Sequence, residues 1–334
     1  MGPRSFLPLV LLFILLFGSC VTPEPIETAL ELEMAPVEPP DVVEIELLTF
    51  ETLDTNIAPP SSDALARLLA LWRAFPEKIQ GLWASTEDWF VDLGTAQFRW
   101  ADGRMLNSDY PYTEQVHATY LPMWDLEGLG LPIWERKILR ENQRPFFELN
   151  QTYGFDPRVR NQDFLDLLYD APTQETSESQ MEWVRFLGLP IQIHPRAVPA
   201  LRRVDEHIRL AQNSSSEVQD FIENLDQVWG FFWRPIAGTS RRSMHSYGIA
   251  VDLIPGYYGR RFPYWRWALE SGYPYWWRLS PRDYWTPPSE IVRAFEEEGF
   301  IWGGRWAAFD TVHFEYRPEY MVFEQPLEIL DEKP

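Results

Sequence analysis

Residues 243–254 read SMHSYGIAVDLI, and this stretch decides both the local fold and the chemistry of the chain. The run after Gly248 is short, β-branched and followed by a proline, which predicts a strand. Because side chains alternate across a strand, Gly248, Ala250 and Asp252 share one face, and the aliphatic residues between them face a core. His245 precedes the strand on a predicted turn, so its imidazole can fold back towards Asp252.

A second segment, residues 310–316, reads DTVHFEY and predicts another short strand. His313 and Glu315 share one face of this strand, while Phe314 packs on the opposite face. Asp310 lies three residues before His313, at the entrance to the strand. The two segments together therefore offer two imidazoles and several carboxylates to one site.

This combination has the composition of a catalytic zinc site, in which three protein ligands leave one position open for water. The predicted ligands are His245, Asp252 and His313, and Asp310 is placed to take a proton from the attacking water as a general base. A lone histidine on a strand is more often a hydrogen-bonded structural residue. The joint spacing of both segments favours the metal site over that alternative.

The two segments have the form S-x-H-x-x-G-x-A-x-D and G-G-x-W-x-x-x-D-x-x-H-F-E, the second of which begins at Gly303. This pattern resembles the zinc peptidases of the D-alanyl-D-alanine carboxypeptidase family, which includes VanX/VanY-like enzymes and L-alanyl-D-glutamate endopeptidases. The resemblance covers residues 185–322. It implies a zinc cofactor, the same three ligands and the same general base.

The resemblance also implies supporting residues around the metal. An upstream arginine binds the substrate carboxylate or polarises the scissile carbonyl, and Arg234 is the best match, with Arg241 and Arg242 as competitors. Glu315 and Ser243 are expected to support the ligands through hydrogen bonds. Three aromatic residues are predicted to line the substrate groove: Trp302, Trp306 and Tyr247.

The motif itself does not determine which peptide bond is cleaved. Carboxypeptidase and dipeptidase members usually have Glu where this chain has Asp310, and Asp after Gly-Gly-x-Trp is more similar to the endopeptidase branch. Residues 234–239, RPIAGT, resemble a less characterised branch. The resemblance therefore implies the metal chemistry but leaves the cleaved bond undetermined.

The amino terminus predicts the location of the protein. Residues 1–19 have a basic lead and an apolar run too short to span a bilayer comfortably, as in a signal peptide. Small residues before Cys20 resemble a lipobox, although Phe17 stands where Leu is commoner; the alternative is a chance cysteine behind an ordinary signal. We therefore expect a lipid-anchored protein of the cell envelope, periplasmic or outer-membrane facing. As Cys20 is the only cysteine, no disulfide can form within the chain.

Residues 20–60 follow as a predicted tether that is rich in Glu and Pro. Between positions 21 and 60 there are ten acidic residues and no Lys or Arg, a composition that repels itself and cannot form a core. Residues 42–48 alternate enough to form an edge strand instead. The formal net charge of the whole chain is −21, which argues against nucleic acid as a partner and against electrostatic attachment to anionic lipid or wall polymer.

The predicted fold class is α+β: a small antiparallel sheet flanked by helices carries the zinc site, in a hedgehog/D,D-peptidase-like arrangement. A mainly helical preface is predicted over 61–184, the peptidase domain over 185–322 and a tail over 323–334. Helical patterns and caps predict five helices: 62–76, 161–168, 199–212, 214–227 and 288–299. Residues 88–105 read as strand-like segments.

Residues 256–287 separate the two motifs and are rich in aromatic residues with interleaved arginines. An insertion between two ligands is expected to overhang the site, where its aromatic faces can stack on sugar rings and its arginines can meet carboxylates. The alternative is that these aromatic residues only pack the insertion onto the domain.

These observations predict a zinc peptidase that hydrolyses peptidoglycan stem peptides, as a D,D-carboxypeptidase or an L-Ala-D-Glu-type endopeptidase. The main alternative is a non-catalytic wall-binding or scaffold lipoprotein that retains a structural zinc. Hydrolysis of peptides from outside the wall is a third hypothesis.

Overall fold

The computed structural model describes residues 62–85, 88–101, 105–108, 161–236, 241–276, 279–306 and 309–319. Contacts divide the chain after Thr49 into two units, and all described residues lie in the second. The predicted signal peptide, Cys20, the acidic tether with its possible strand, and the tail lie outside the described residues. No helix within the described ranges is long and apolar enough to cross a membrane.

The described part of the preface combines three helices with a four-stranded antiparallel meander. The helices are α1 (Ser62–Ala74), α2 (Gln162–Leu168) and α3 (Gln174–Ser179). The strands, paired in sequential order, are β1 (Gly81–Ala84), β2 (Trp89–Asp92), β3 (Gln97–Arg99) and β4 (Leu106–Asn107). Strands β2 and β3 lie within the strand-like segments predicted over 88–105, whereas β1 and β4 lie outside that range. The strands are only two to four residues long and show little periodicity, which left the prediction of the preface mainly helical.

The preface packs beneath the turn that carries His245. Its core contains Phe75, Phe98 and Phe164, and the same cluster of buried side chains continues into Met244 and Tyr247 of that turn. The aromatic rings of Phe98 and Phe164 meet edge to face at 5.1 Å. The preface therefore supports the first metal motif from behind.

A hairpin, β5 (Glu182–Phe186) and β6 (Leu189–Ile193), follows the preface. Its two turn residues, Leu187 and Gly188, both have positive φ (50° and 84°), as the tightest hairpin turns require. Helices α4 (Val198–Gln212) and α5 (Ser216–Glu223) come next. The sequence analysis did not predict the hairpin.

The central sheet consists of β7 (Leu225–Trp229), β8 (Ala250–Pro255), β9 (Phe300–Trp302) and β10 (His313–Tyr316), in the spatial order β7–β8–β10–β9. Each neighbouring pair is antiparallel. One face packs on helices α4 and α7 (Ser289–Glu297), and the short helix α6 (Trp265–Glu270) belongs to the insertion. This arrangement confirms the predicted α+β fold with a small antiparallel sheet.

The helix predicted over 214–227 ends early. Helix α5 stops at Glu223, and Leu225–Trp229 forms an edge strand that pairs with β8. The main-chain hydrogen bonds offered by β8 outweigh the weak helical preference of this segment. The other four predicted helices are present with ends shifted by one or two residues.

Candidate metal centre

The turn before β8 places the imidazole of His245. Ser243 caps a short 3-10 helix, Met244–Tyr247, and its hydroxyl oxygen accepts a hydrogen bond from the His245 N–H at 3.4 Å. Gly248 ends the turn at φ 65°, and a Cβ there would lie 2.2 Å from Sδ of Met181. The motif therefore requires glycine for both its backbone conformation and its space.

The register of the sheet brings the other two predicted ligands together. Asp252 of β8 lies directly opposite His313 of β10, so both side chains point to the same face. The candidate ligand atoms of His245, Asp252 and His313 all lie within 4.8 Å of one another, and all three residues are buried. The predicted trio therefore forms a group that can hold a metal ion.

The hydrogen bonds of His245 test whether this trio suits a cation. Its Nδ1 lies 2.6 Å from the carbonyl oxygen of Gly230, which can only accept, so Nδ1 carries the hydrogen. In the neutral imidazole, Nε2 therefore presents a lone pair; this atom is buried, has no hydrogen-bond partner within the described part of the chain, and lies 3.1 Å from Oδ2 of Asp252. Two electron-pair donors at this separation fit a shared metal ion.

His313 lies between two carboxylates. Nδ1 is 2.7 Å from Oδ1 of Asp252, and Nε2 is 3.1 Å from Oε1 of Glu315. Burial by itself lowers the pKa of His313, but the charge and hydrogen bond of Asp252, followed by those of Glu315, raise this pKa to about 10. Burial likewise opposes ionisation of Asp252, yet His245 and His313 bring its pKa well below the usual range. The pocket thus favours positive charge between its carboxylates.

Glu315 is the first of three buried charged side chains that follow one another at the end of β10 and just beyond it. Its Oε2 lies 3.7 Å from Nη1 of Arg317, and Nε of Arg317 donates to Oε1 of Glu319 at 2.6 Å. All three side chains are at most 4% exposed. Glu315 therefore contacts His313 at the nitrogen that faces away from Asp252, as a residue that orients this ligand would do.

Asp310 lies outside the tight trio, and the insertion holds its loop. The Asp310 N–H donates to the carbonyl of Gly303 at 3.0 Å, and a Cβ on Gly303 would lie 2.5 Å from the Asp310 carbonyl oxygen. Thr311 N–H donates to the carbonyl of Pro263 at 2.7 Å, and Trp265 N–H donates to that of Phe309 at 3.1 Å. The Asp310 side chain is partly exposed, which leaves it accessible from the solvent side.

The three candidate arginines differ in their surroundings. Arg242 is engaged with the preface: it pairs with Asp166, and its guanidinium lies 5.0 Å from the ring centres of both Trp233 and Tyr247. The backbone of Arg241 accepts a hydrogen bond from Ile236. Arg234 is half-buried, its guanidinium donates to the Pro235 carbonyl at 3.4 Å, and its carbonyl accepts from Ser243 N–H.

The three aromatic residues predicted to line a groove are all buried. The Tyr247 hydroxyl donates to Asp166 at 3.0 Å, so the side chain faces the preface core. The Trp302 indole N–H donates to the Thr311 carbonyl at 2.8 Å, and the Trp306 ring packs 5.3 Å from the ring of His313. They support the site from within and do not line an open groove, since neighbouring segments cover them.

The structure shows packing within the insertion, which is one of the two roles that its sequence suggests. Phe309 packs with the insertion's Trp276 and Tyr284 in a small separate core, so many of its aromatic residues serve packing. Tyr258 packs edge to face with Trp267 at 5.7 Å and with Trp285 at 5.5 Å. Burial, then the charges of Asp252 and Asp310, raise the pKa of Tyr258 to about 12. No motif marks this tyrosine in the sequence.

The geometry of the site is thus that of a buried group of two histidines and one aspartate. Residues 237–316 match the family model of D-alanyl-D-alanine carboxypeptidase. The match covers about a quarter of the chain, including the three candidate ligands, Asp310 and Glu315. It confirms the predicted resemblance over these residues and identifies a peptidase-type segment. No curated protein and no solved structure matched the chain in the corresponding searches.

Proposed function

We propose that the protein is a zinc-dependent peptidase that hydrolyses the stem peptides of peptidoglycan. The observation that carries the proposal is the buried His245–Asp252–His313 group: Gly230 orients the imidazole of His245, the strand register sets Asp252 opposite His313, and the candidate ligand atoms lie within 4.8 Å of one another. Two imidazoles and one carboxylate are a ligand set that zinc uses in hydrolytic enzymes. The match to the carboxypeptidase model supports a substrate related to peptidoglycan.

Each remaining residue of the site has a proposed task. Bound zinc supplies an acidified water and a positive charge for the developing oxyanion. Asp310, whose backbone is fixed by Gly303, takes the proton from the attacking water and returns it to the leaving amine. Tyr258 stays protonated at neutral pH and donates a hydrogen bond in this charged site. Arg234 binds a carboxylate of the substrate.

The cleaved bond and the location belong to the same proposal. Asp310 in place of Glu favours an L-Ala-D-Glu-type endopeptidase, and a D,D-carboxypeptidase is the other possible activity. Lipid attachment at Cys20 and the acidic tether would hold the domain at the cell envelope, within reach of a wall polymer. Processing of the amino terminus can be tested separately by mass spectrometry of the mature protein.

Metal content and product analysis test the catalytic proposal together. Metal is quantified by mass spectrometry, and digests of purified muropeptides are analysed for the wild type, His245→Ala and Asp310→Asn. We expect His245→Ala to lose both metal and activity, and Asp310→Asn to keep metal while its turnover falls by roughly 100-fold. Asp220→Asn, an exposed carboxylate on α5, serves as the matched control.

The products decide between the alternatives. Loss of a terminal D-Ala identifies the carboxypeptidase, and cleavage after L-Ala identifies the endopeptidase. Metal-replete wild-type protein that leaves every muropeptide intact would refute the enzyme and support a scaffold with a structural zinc. Cleavage of ordinary L-peptides alone would support a substrate from outside the wall.

A further inference from the structure

A groove of about 450 Å³ adjoins the metal centre on the side of the β5–β6 hairpin. His245 and Arg234 both line it. Trp229 of β7 lies directly opposite Asp252 in the sheet register, so both side chains lie on the metal-bearing face. The groove is therefore continuous with the proposed reaction site.

The groove presents three large aromatic side chains to solvent. Trp183 is 69% exposed, Trp229 is 50% exposed and Phe232 is 61% exposed. They come from β5, from β7 and from the segment after β7, respectively. Single exposed apolar side chains are ordinary, but three around one concave groove next to a candidate active site indicate a ligand surface.

The framework of the groove is fixed by hydrogen bonds. The Phe231 N–H donates to the carbonyl of Gln192 on β6 at 2.6 Å, which joins the hairpin to the segment after β7. The indole N–H of Trp229 donates to the side chain of Gln227 at 2.6 Å, so the orientation of this ring is set. A Cβ on Gly230 would lie 2.2 Å from the Gln192 carbonyl oxygen, which shows how closely these segments approach.

The charge of the groove differs from that of the chain. The protein carries a formal net charge of −21, yet the described residues that line the groove include no acidic side chain. Arg234 forms no ion pair within the described residues. The groove thus offers flat aromatic faces with one cation, which complements an uncharged ring system attached to a carboxylate-bearing chain.

We propose that this groove is a saccharide subsite, which binds the glycan portion of a glycan-linked peptide while the peptide crosses the metal centre. The inference rests on the proposed function and makes it more specific, because it selects glycan-attached stem peptides over free ones. Pyranose rings have flat apolar faces that stack on indole and phenyl rings. The small side chains of an alanine-rich peptide would leave most of this aromatic surface uncovered.

Binding is tested first, independently of catalysis. A tetramer of N-acetylglucosamine is titrated calorimetrically into the full metal-loaded Asp310→Asn chain. We expect measurable binding that Trp183→Ala and Phe232→Ala each weaken by roughly tenfold, the loss of one aromatic stacking partner. Leu210→Ala, which removes a similarly exposed apolar side chain (70%) on α4, should leave binding unchanged. Circular dichroism confirms that the variants fold.

Kinetics then separate this inference from the proposed function. The wild type should have a higher kcat/KM for a glycan-linked stem peptide than for the same free peptide, and Trp183→Ala should remove most of that difference. Cleavage of both substrates with equal efficiency, together with no tetramer binding, would overturn the saccharide subsite and leave the peptidase intact. Tetramer binding without any cleavage would refute the peptidase and leave the subsite standing. Concentration-dependent dimerisation that Trp183→Ala abolishes would assign the groove to a second copy and overturn the inference.

Discussion

Replacing Arg317 by methionine tests the buried chain of charges behind the metal centre. The Arg317 side chain is 1% exposed and lies between Glu315, 3.7 Å away, and Glu319, 2.6 Å away. Methionine fills much of the same volume but removes the positive charge. Two buried carboxylates would then lose the cation that both of them face.

The size of the effect follows from burial. Breaking a buried ion pair by removing one partner costs about 3–5 kcal/mol of unfolding free energy, because the remaining charge stays desolvated. Glu315 also contacts Nε2 of His313 at 3.1 Å, so the loss should extend to the metal. We expect the metal affinity of Arg317→Met to fall by roughly 10- to 100-fold, as when a group that orients a ligand is disturbed.

Urea unfolding in the presence of chelator measures the stability of the metal-free protein at pH 7. Metal affinity is measured by competition with a chromogenic chelator. Arg293→Met, on the exposed side of α7, is the control and should change the unfolding free energy by no more than about 0.5 kcal/mol. The double variant Glu315→Gln/Arg317→Met should recover part of the stability, because it removes the charge of one of the two buried carboxylates that face Arg317. A loss below about 1 kcal/mol, or unchanged metal affinity, would refute the reasoning.

Three further predictions address single positions. Glu315→Gln keeps a hydrogen bond to His313 without the charge, so metal affinity should fall by roughly 10- to 100-fold in the same competition assay; unchanged affinity would contradict this role. Gly248→Ala should lower the unfolding free energy by about 2 kcal/mol or more, since alanine disfavours φ 65° and its Cβ would meet Met181; a variant as stable as wild type in urea would argue against the turn geometry. Burial lowers the pKa of His194 to about 4, so the unfolded state binds a proton that the folded state does not, and stability should decline by up to about 3 kcal/mol as the pH falls from 6.5 to 4. His194→Gln should flatten this dependence in urea titrations at several pH values, whereas the exposed His207→Gln should leave it intact.

The sequence predicted helices whose ends are stabilised by hydrogen bonds between residues that are close in the chain. Helix α2 begins after Asn161, whose side chain accepts from Phe164 N–H, and this cap is visible in the sequence. The β5–β6 hairpin turns through Leu187 and Gly188, and a leucine with positive φ gives no recognisable turn signal. Strand β7 exists because β8 offers it partners, which no reading of residues 225–229 alone could supply.

Two of the candidate metal ligands were predictable because each lies in a short strand whose two-residue period fixes the face that carries its side chain. Asp252 and His313 needed only the antiparallel pairing of two strands to meet. The prediction of a groove lined by Trp302, Trp306 and Tyr247 rests only on their closeness in sequence to the two motifs. Their burial depends on residues far away in the chain. One example is Asp166 of the preface, which accepts a hydrogen bond from the Tyr247 hydroxyl.

The sequence by itself determined the candidate ligand trio, the antiparallel sheet class and the acidic, lysine- and arginine-free segment before the globular region. These properties depend on residue type and on periods of two or a few residues, which the chain encodes locally. Only the tertiary structure decided that Arg242 contacts the preface, that Tyr258 packs on Trp267 and Trp285, and that the open aromatic surface belongs to Trp183, Trp229 and Phe232. Those assignments depend on exposure and on contacts between distant segments, which arise when the whole chain packs and cannot be read from spacing.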